Sequence, residues 1–190
     1  MTQQRSFVPV WSRLGFRVRD HVLGIGVEWG DNCVSLTRTH EILETVKKHG
    51  LERSLTYPIA KGFSLEKAEV CDSSLKFLNL TGDLRYHERA CRPDMSLMLA
   101  KLSPYSGAHD KRHMEALKDG ARYAKGTAEL PFIIRKNSKG KVDAYHLFLF
   151  TDATWGSELG GKSMSGWVVF LNGNNVASTS KRQDCVTRSS

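Results

Sequence analysis

No stretch of this 190-residue chain approaches the roughly 18 to 20 consecutive apolar residues that a membrane-spanning helix needs. Cysteine is scarce. Cys33, Cys71, Cys91 and Cys185 include no C-x-x-C pair that could combine with histidines into a zinc finger. A zinc site and a disulfide framework are therefore not expected, and free thiols in a reducing compartment are. The N-terminal segment lacks the apolar core of a signal peptide. The expectation is an intracellular protein, cytoplasmic or nuclear, with no membrane partner. The seven histidines form no nucleophile–base constellation, and no repeat or low-complexity tract is visible.

What is present is an ordinary globular composition, 40% hydrophobic and 25% charged, with a net charge of +8. The excess of Lys and Arg over Asp and Glu is +2 in residues 1–60, +3 in 61–127 and +3 in 128–190. A diffuse positive balance suits a polyanion such as nucleic acid. A soluble protein with no such partner can also be this basic.

Residues 1–20 are polar and arginine-rich with no clear period. His21 to Trp29 and Cys33 to Thr37 read as two strands of a hairpin around Gly30-Asp31-Asn32. Thr39 is placed to cap a helix reaching about His49, with Ile42, Leu43 and Val46 inward and Gly50 closing it. A loop follows over 57–72. A second helix is expected over about 73–88, with Leu75, Leu78 and Leu84 inward. A third begins at Pro93, is filled by Met95, Leu97, Met98, Leu99 and Leu102, and stops at Pro104 and Gly107. A longer one runs from His109 to Lys125 with Met114, Leu117, Ala121 and Ala124 as its stripe.

After Gly126 the period changes from helical to strand-like. Strands are expected at 130–135, 146–152, 165–171 and 175–180, with turns at 137–140 and at Asn172-Gly173-Asn174. A domain boundary is drawn near 128, giving units 1–127 and 128–190. The expected class is α+β: a hairpin and helical segment, then an antiparallel sheet.

Asp152 is the informative carboxylate. It ends the apolar run 147–150, where a charge is costly to bury unless it faces a cleft. A carboxylate so placed can bind a hard cation, and two-metal nucleases converge several of them. A strand-end Asp can equally cap its own turn. Lys125, Lys162, Lys181 and Arg182 stand at element ends where phosphates can be touched, and Trp29, Trp155 and Trp167 can stack bases. Trp167 opens an apolar strand and is expected in the core, and His113 is expected as a surface or packing residue.

Several motifs then fall into register. Phe150-Thr-Asp-Ala-Thr-Trp-Gly156, Lys162-Ser-Met-Ser-Gly-Trp167, Ser178-Thr-Ser-Lys-Arg-Gln183 and Val186-Thr-Arg-Ser-Ser190 resemble the RNase H start of copia-type retrotransposon polyproteins. Upstream, Val22-Leu-Gly-Ile25 with Glu28, and Leu36-Thr-Arg38, are similar to that family's reverse transcriptase. So are Gly82, Leu84 and Tyr86, then Cys91-Arg-Pro-Asp94, His113-Met-Glu-Ala-Leu117 and Arg122-Tyr-Ala-Lys-Gly-Thr127. The likeness runs from about Leu14 to Ser190.

The resemblance implies a thumb- or connection-like part of a reverse transcriptase followed by a truncated RNase H-like sheet. It implies Mg²⁺ as the metal, Asp152 as its first ligand, and an RNA–DNA hybrid as partner. It also implies incompleteness. Thr154 replaces a family Asp, the helix with the second carboxylate would start past Ser190, and the polymerase's Asp-Asp turn would precede residue 1. One carboxylate cannot organise two hydrated Mg²⁺ ions. Glu158 and Asp184 are expected on solvated loops and do not complete the site. The expected function is template–primer contact surface without chemistry. The alternatives are a non-catalytic nucleic-acid-binding or interaction module, or an inert remnant.

A sheet without its covering helix leaves Val168, Phe170 and Val176 under-covered, so it needs the rest of the polyprotein or another partner. The isolated chain is therefore predicted to be marginally stable and to bind a hydrophobic dye. A sharp cooperative melt with no dye signal would contradict this.

Overall fold

The computed structural model describes residues 21–136, 145–158 and 160–186. The arginine-rich segment 1–20, the turn expected at 137–140 and Ser189-Ser190 lie outside the described residues. The class is α+β, built from two antiparallel sheets on a helical core.

The first sheet contains β1 (His21–Val22), β2 (Ile25–Trp29), β3 (Cys33–Thr37) and β4 (Phe132–Arg135), in that order. Its first turn was not anticipated. Leu23 and Gly24 both take positive φ, 52° and 71°, so the chain reverses between Val22 and Ile25. Two left-handed residues make the tight turn that matches strand twist. The more familiar signal, Asn172-Gly173 with φ of 50° and 79°, closes the hairpin of the second sheet.

α1 (Thr39–Lys48) buries Ile42 and Val46, one turn apart, while Leu43 faces outward. Thr39 is not its cap. Arg38 holds that position, and the Thr39 hydroxyl donates instead to the Ala128 carbonyl at 3.0 Å. α2 (Phe77–Cys91) starts four residues later than expected and buries Phe77, Leu80 and Leu84. Leu78 lies on its outer face. A 3₁₀ turn at Pro93–Met95 leads into α3 (Ser96–Leu102), which inserts Met98, Leu99 and Leu102.

α4 (Lys111–Gly126) buries Leu117, Ala121 and Ala124. Its Gly120 lets the backbone close on α3, since a Cβ there would meet Met98 Sδ at 1.9 Å. Asp110 caps α4 by accepting from the Arg112 and His113 amides. His113 is fully buried and forms the other half of the capping box, and its Nε2 reaches the Glu66 carbonyl at 2.9 Å. Each buried Leu or Met of this core contributes about 1.5–3 kcal/mol.

The strand expected at 130–135 does not join the C-terminal sheet. It leaves α4 beside Thr39 and runs back along β3, pairing Phe132 with Leu36 and Arg135 with Cys33. The strand that follows the change of period after 126 is therefore part of the first sheet. The second sheet holds β5 (Leu147–Glu158), β6 (Lys162–Leu171) and β7 (Asn174–Arg182) in the order β5-β6-β7. It is fastened to the helices and to β4. The Ser180 amide donates to Ser96 Oγ at 2.9 Å, and Lys101 pairs with Glu158 at 2.7 Å. The Asn174 side chain exchanges two hydrogen bonds with the Arg135 backbone, at 2.7 and 2.9 Å. Val176 is exposed as expected, whereas Val168 and Phe170 are half-buried.

Two buried cations tie these parts together. The Arg92 side chain is 2% exposed and donates from Nε and Nη2 to the two oxygens of Asp94, at 3.0 and 2.8 Å. It also reaches the Thr127 carbonyl at 3.0 Å and its hydroxyl at 2.5 Å. Tyr123 donates to the same Asp94 at 2.8 Å. Burial pushes the Asp94 carboxyl up, but the Arg92 bonds and charge outweigh it and hold the group below its ordinary range. The second cation is Arg38, also buried. Its Nε donates to His87 Nδ1 at 3.0 Å, and its Nη1 donates to the Leu23 carbonyl at 3.3 Å. A guanidinium can only donate, so His87 accepts at Nδ1 and gives its Nε2 proton to Thr45 Oγ1 at 2.9 Å.

Removing one partner of a buried, hydrogen-bonded pair strands the other. Arg92→Ala is expected to lower unfolding free energy by about 3–5 kcal/mol. Arg92→Lys, which loses the two-point fork, should recover only part of that in urea unfolding. A second prediction concerns acid. Burial, then the Arg38 charge, hold the His87 imidazole down at about 4, from an ordinary 6.5. Below pH 6.5 the unfolded chain takes a proton that the folded one refuses, so stability falls as pH drops toward 4, by about 3 kcal/mol at most. The depressed carboxyls of Asp83 and Asp94 lose their contribution only at lower pH. His87→Gln should flatten the slope of urea midpoint against pH between 6.5 and 4.5; an unchanged slope would refute the assignment.

Candidate nucleic-acid interface

β5 carries Asp152 into the second sheet opposite Gly166, in a row that continues to Ser180. It is exposed, and its Oδ1 accepts from the Ala153 amide at 2.8 Å. A shallow cleft of about 290 Å³ opens beside it, lined by Pro93, Ser96, Phe150 and Val168 among others. Among the described residues no group of three His, Cys, Asp or Glu side chains is placed to hold a metal ion. The residues present do not fit a two-Mg²⁺ centre.

Neither substitute carboxylate changes that. Glu158 does not lie on a solvated loop: it ends β5, and its side chain is 10% exposed against Lys101. The Lys101 ammonium of α3 holds it there, which composition did not show. Asp184 is 89% exposed and sits 3.3 Å from Lys181 Nζ.

The basic candidates divide. Lys162 starts β6, and Lys181 and Arg182 end β7, so pairing of Met164 with Arg182 and of Ser165 with Lys181 gathers all three at one end of the sheet. Exposed Trp155 lies toward the same end of β5. Lys162 Nζ donates to the Asp184 carbonyl at 2.6 Å, so Asp184 ties two of these cations together. Lys125 stands apart. At the end of α4 its ammonium donates to the Leu51 and Glu52 carbonyls, where it holds the α1 exit loop.

Trp167 was expected in the core and is 40% exposed. It pairs with Thr151 and Thr179, two rows from the Ser165–Lys181 pair with the Asp152–Gly166–Ser180 row between, so alternation puts Trp167 and Lys181 on one face and Asp152 on the other. An apolar strand reads as core only where something covers it, and at Trp167 the cover is partial. Trp29, at the end of β2, is likewise 41% exposed.

The residues that carry the sequence motifs outside the second sheet do structural work. Arg92 and Asp94 bind Thr127, Arg38 binds His87, Tyr86 donates to the Leu23 carbonyl at 3.2 Å, and His113 caps α4. Local spacing carried no sign that the segments 91–94 and 122–127 meet.

No family model matches the chain, and no solved structure matches it. Curated proteins do. It is 27% identical over 185 residues to a retrovirus-related Pol polyprotein from transposon RE1 of Arabidopsis thaliana, covering 92% of this chain and 12% of that protein. A second such polyprotein, from transposon RE2 of the same plant, is 30% identical over 116 residues, covering 60% of this chain and 8% of that protein. An uncharacterized mitochondrial protein of Arabidopsis thaliana is 28% identical over 183 residues, 96% of this chain and 71% of that protein. The chain thus spans about a tenth of the length of the polyproteins it matches. With the likeness to the first polyprotein running through both sheets and the helical core, the chain is a homologue of the retrovirus-related Pol polyproteins of transposons.

Proposed function

We propose that this chain corresponds to part of a copia-type reverse transcriptase–RNase H and supplies contact surface for an RNA–DNA hybrid without completing either catalytic centre. The second sheet is, in this reading, the RNase H-like part, and the setting is intracellular. Mg²⁺ belongs to the complete parent enzyme, to which Asp152 would contribute one ligand. The observation that carries the proposal is the sheet face that half-exposed Trp167 shares with Lys181, two rows away, with Lys162 and Arg182 at the same end of the sheet. A ring on which a base can stack beside cations that can meet phosphates is the arrangement of a sequence-tolerant nucleic-acid surface. The even excess of positive charge along a relative of transposon Pol polyproteins supports the same partner.

Fluorescence anisotropy with an RNA–DNA hybrid tests it. Binding is expected at low salt, with log K falling against log salt at a slope of about −2 to −3. Lys181→Ala should reduce that slope by about one unit, and Trp167→Ala should weaken binding at every salt by about 1–3 kcal/mol. Absence of binding at low salt would defeat the proposal. In the same samples Mg²⁺ should cause no hybrid cleavage above background, and Asp152→Asn should change nothing. Cleavage that this substitution abolishes would show a complete nuclease site.

A further inference from the structure

β5 is an edge strand among the described residues, with β6 on one side only. Its first four residues are all apolar and exposed. Leu147, Phe148, Leu149 and Phe150 are 66, 54, 61 and 59% exposed, and alternation sends them to both faces of the sheet. A long, exposed, apolar edge is a template for another strand.

The pattern of residues selects the occupant. We propose that β5 pairs antiparallel with β5 of a second copy of this chain, around a two-fold axis at Leu149. The backbone phase allows it. His146 exchanges bonds with Asn172, its amide donating to Asn172 Oδ1 and its carbonyl accepting from the Asn172 amide. Residues 148 and 150 therefore also turn their backbone groups toward β6, and Leu147, Leu149 and Thr151 turn theirs outward. A two-fold axis at Leu149 sets Leu149 opposite itself and Leu147 opposite Thr151 of the copy. Those are the residues with outward groups, so they form the hydrogen-bonded pairs.

The side chains agree with that register. Around Leu149 the sequence His146-Leu-Phe-Leu-Phe-Thr-Asp152 is self-complementary when reversed. Phe148 meets Phe150 of the copy on one face. At each end the His146 imidazole meets the Asp152 carboxylate of the copy, a donor beside an acceptor of opposite charge when the ring is protonated. The Ala153 amide, turned outward by the same phase, is already taken by Asp152 Oδ1, which ends the pairing there. At about 150–250 Å² for a large apolar side chain, the exposed parts of these four residues offer on the order of 500 Å² per copy. Pairing covers the flanks of these side chains and the backbone edge, so the pair buries at most about 1,000 Å², the size of a weak, concentration-dependent contact. The two-fold contact is isologous and closes at two copies.

Sedimentation equilibrium of the full chain between about 1 and 100 μM tests this. A concentration-dependent dimer is expected, and a monomer throughout, or open-ended larger species, overturns it. Leu149→Lys sets two ammonium groups face to face at the axis and should weaken association at least tenfold with an unchanged circular dichroism spectrum; an undiminished dimer overturns the proposal. Cysteine placement checks the register independently. Opposed Cα atoms of such a pair lie about 5.5 Å apart, within disulfide reach. Leu149→Cys should yield a covalent dimer under mild oxidation, with a 149–149 link found by peptide mass spectrometry. Leu147→Cys, whose copy sits four residues away along the ladder, should not. Equal crosslinking at both positions overturns the register and with it the two-fold pairing.

Discussion

A single guanidinium organises much of this protein. Arg92 leaves the end of α2 and is buried against Asp94 two residues later and against Thr127 some 35 residues later, with Tyr123 closing the group. The contact holds three chain directions at once: the exit of α2, the 3₁₀ turn that launches α3, and the end of α4. Burying such an ion is tolerable only when its donors are met. Here Nε, Nη1 and Nη2 are, and the carboxylate it faces is held ionised by the same bonds. α3 is thereby set where its Ser96 and Lys101 receive the second sheet, through Ser180 and Glu158. Thr127 is likewise set where the chain can turn back past Thr39 and enter the first sheet as β4.

The second sheet is supported unevenly. β7 rests on α3 and is joined to β4 by the Asn174 side chain, and one end of β5 is held by Lys101. Leu147 to Phe150 of β5 are more than half exposed, and Trp167 is 40% exposed. A buried helical core beside a partly exposed sheet suits a module whose surfaces are completed by something else: a polyanion on the face of Trp167 and Lys181, or the β5 strand of a second copy along β5. The two surfaces differ, since Trp167 lies on β6 and the free edge belongs to β5.

Local chemistry was legible wherever the controlling partners were near in the chain. Asn172-Gly173 announced its hairpin because left-handed backbone favours those residues. The stripe of α4 and its end at Gly126 were readable from period alone, and so was the run to Asp152. Leu23-Gly24 was missed because Leu is seldom left-handed, and Thr39 was misassigned because its hydroxyl had a better acceptor 89 residues away at Ala128. The isolated state of Asp152 was legible because the neighbouring position that might have supplied a carboxylate is Thr154. The burial of Glu158 and the exposure of Trp167 were not, because each depends on whether a distant element arrives.

The sequence alone determined most of the secondary elements, the Asn172-Gly173 turn and the relation to transposon polyproteins. These follow from residue type and short spacing, which act within a few residues along the chain. Tertiary structure decided that β4 joins β3 across roughly a hundred residues, that the motifs at 91–94 and 122–127 are one ionic staple, and that Lys125 serves a loop while Lys162, Lys181 and Arg182 share a sheet end. Each of those outcomes rests on contacts between residues far apart in the chain, and the staple at Arg92 shows why. A buried charge must be satisfied wherever in the chain its partner lies, and linear spacing does not record that distance.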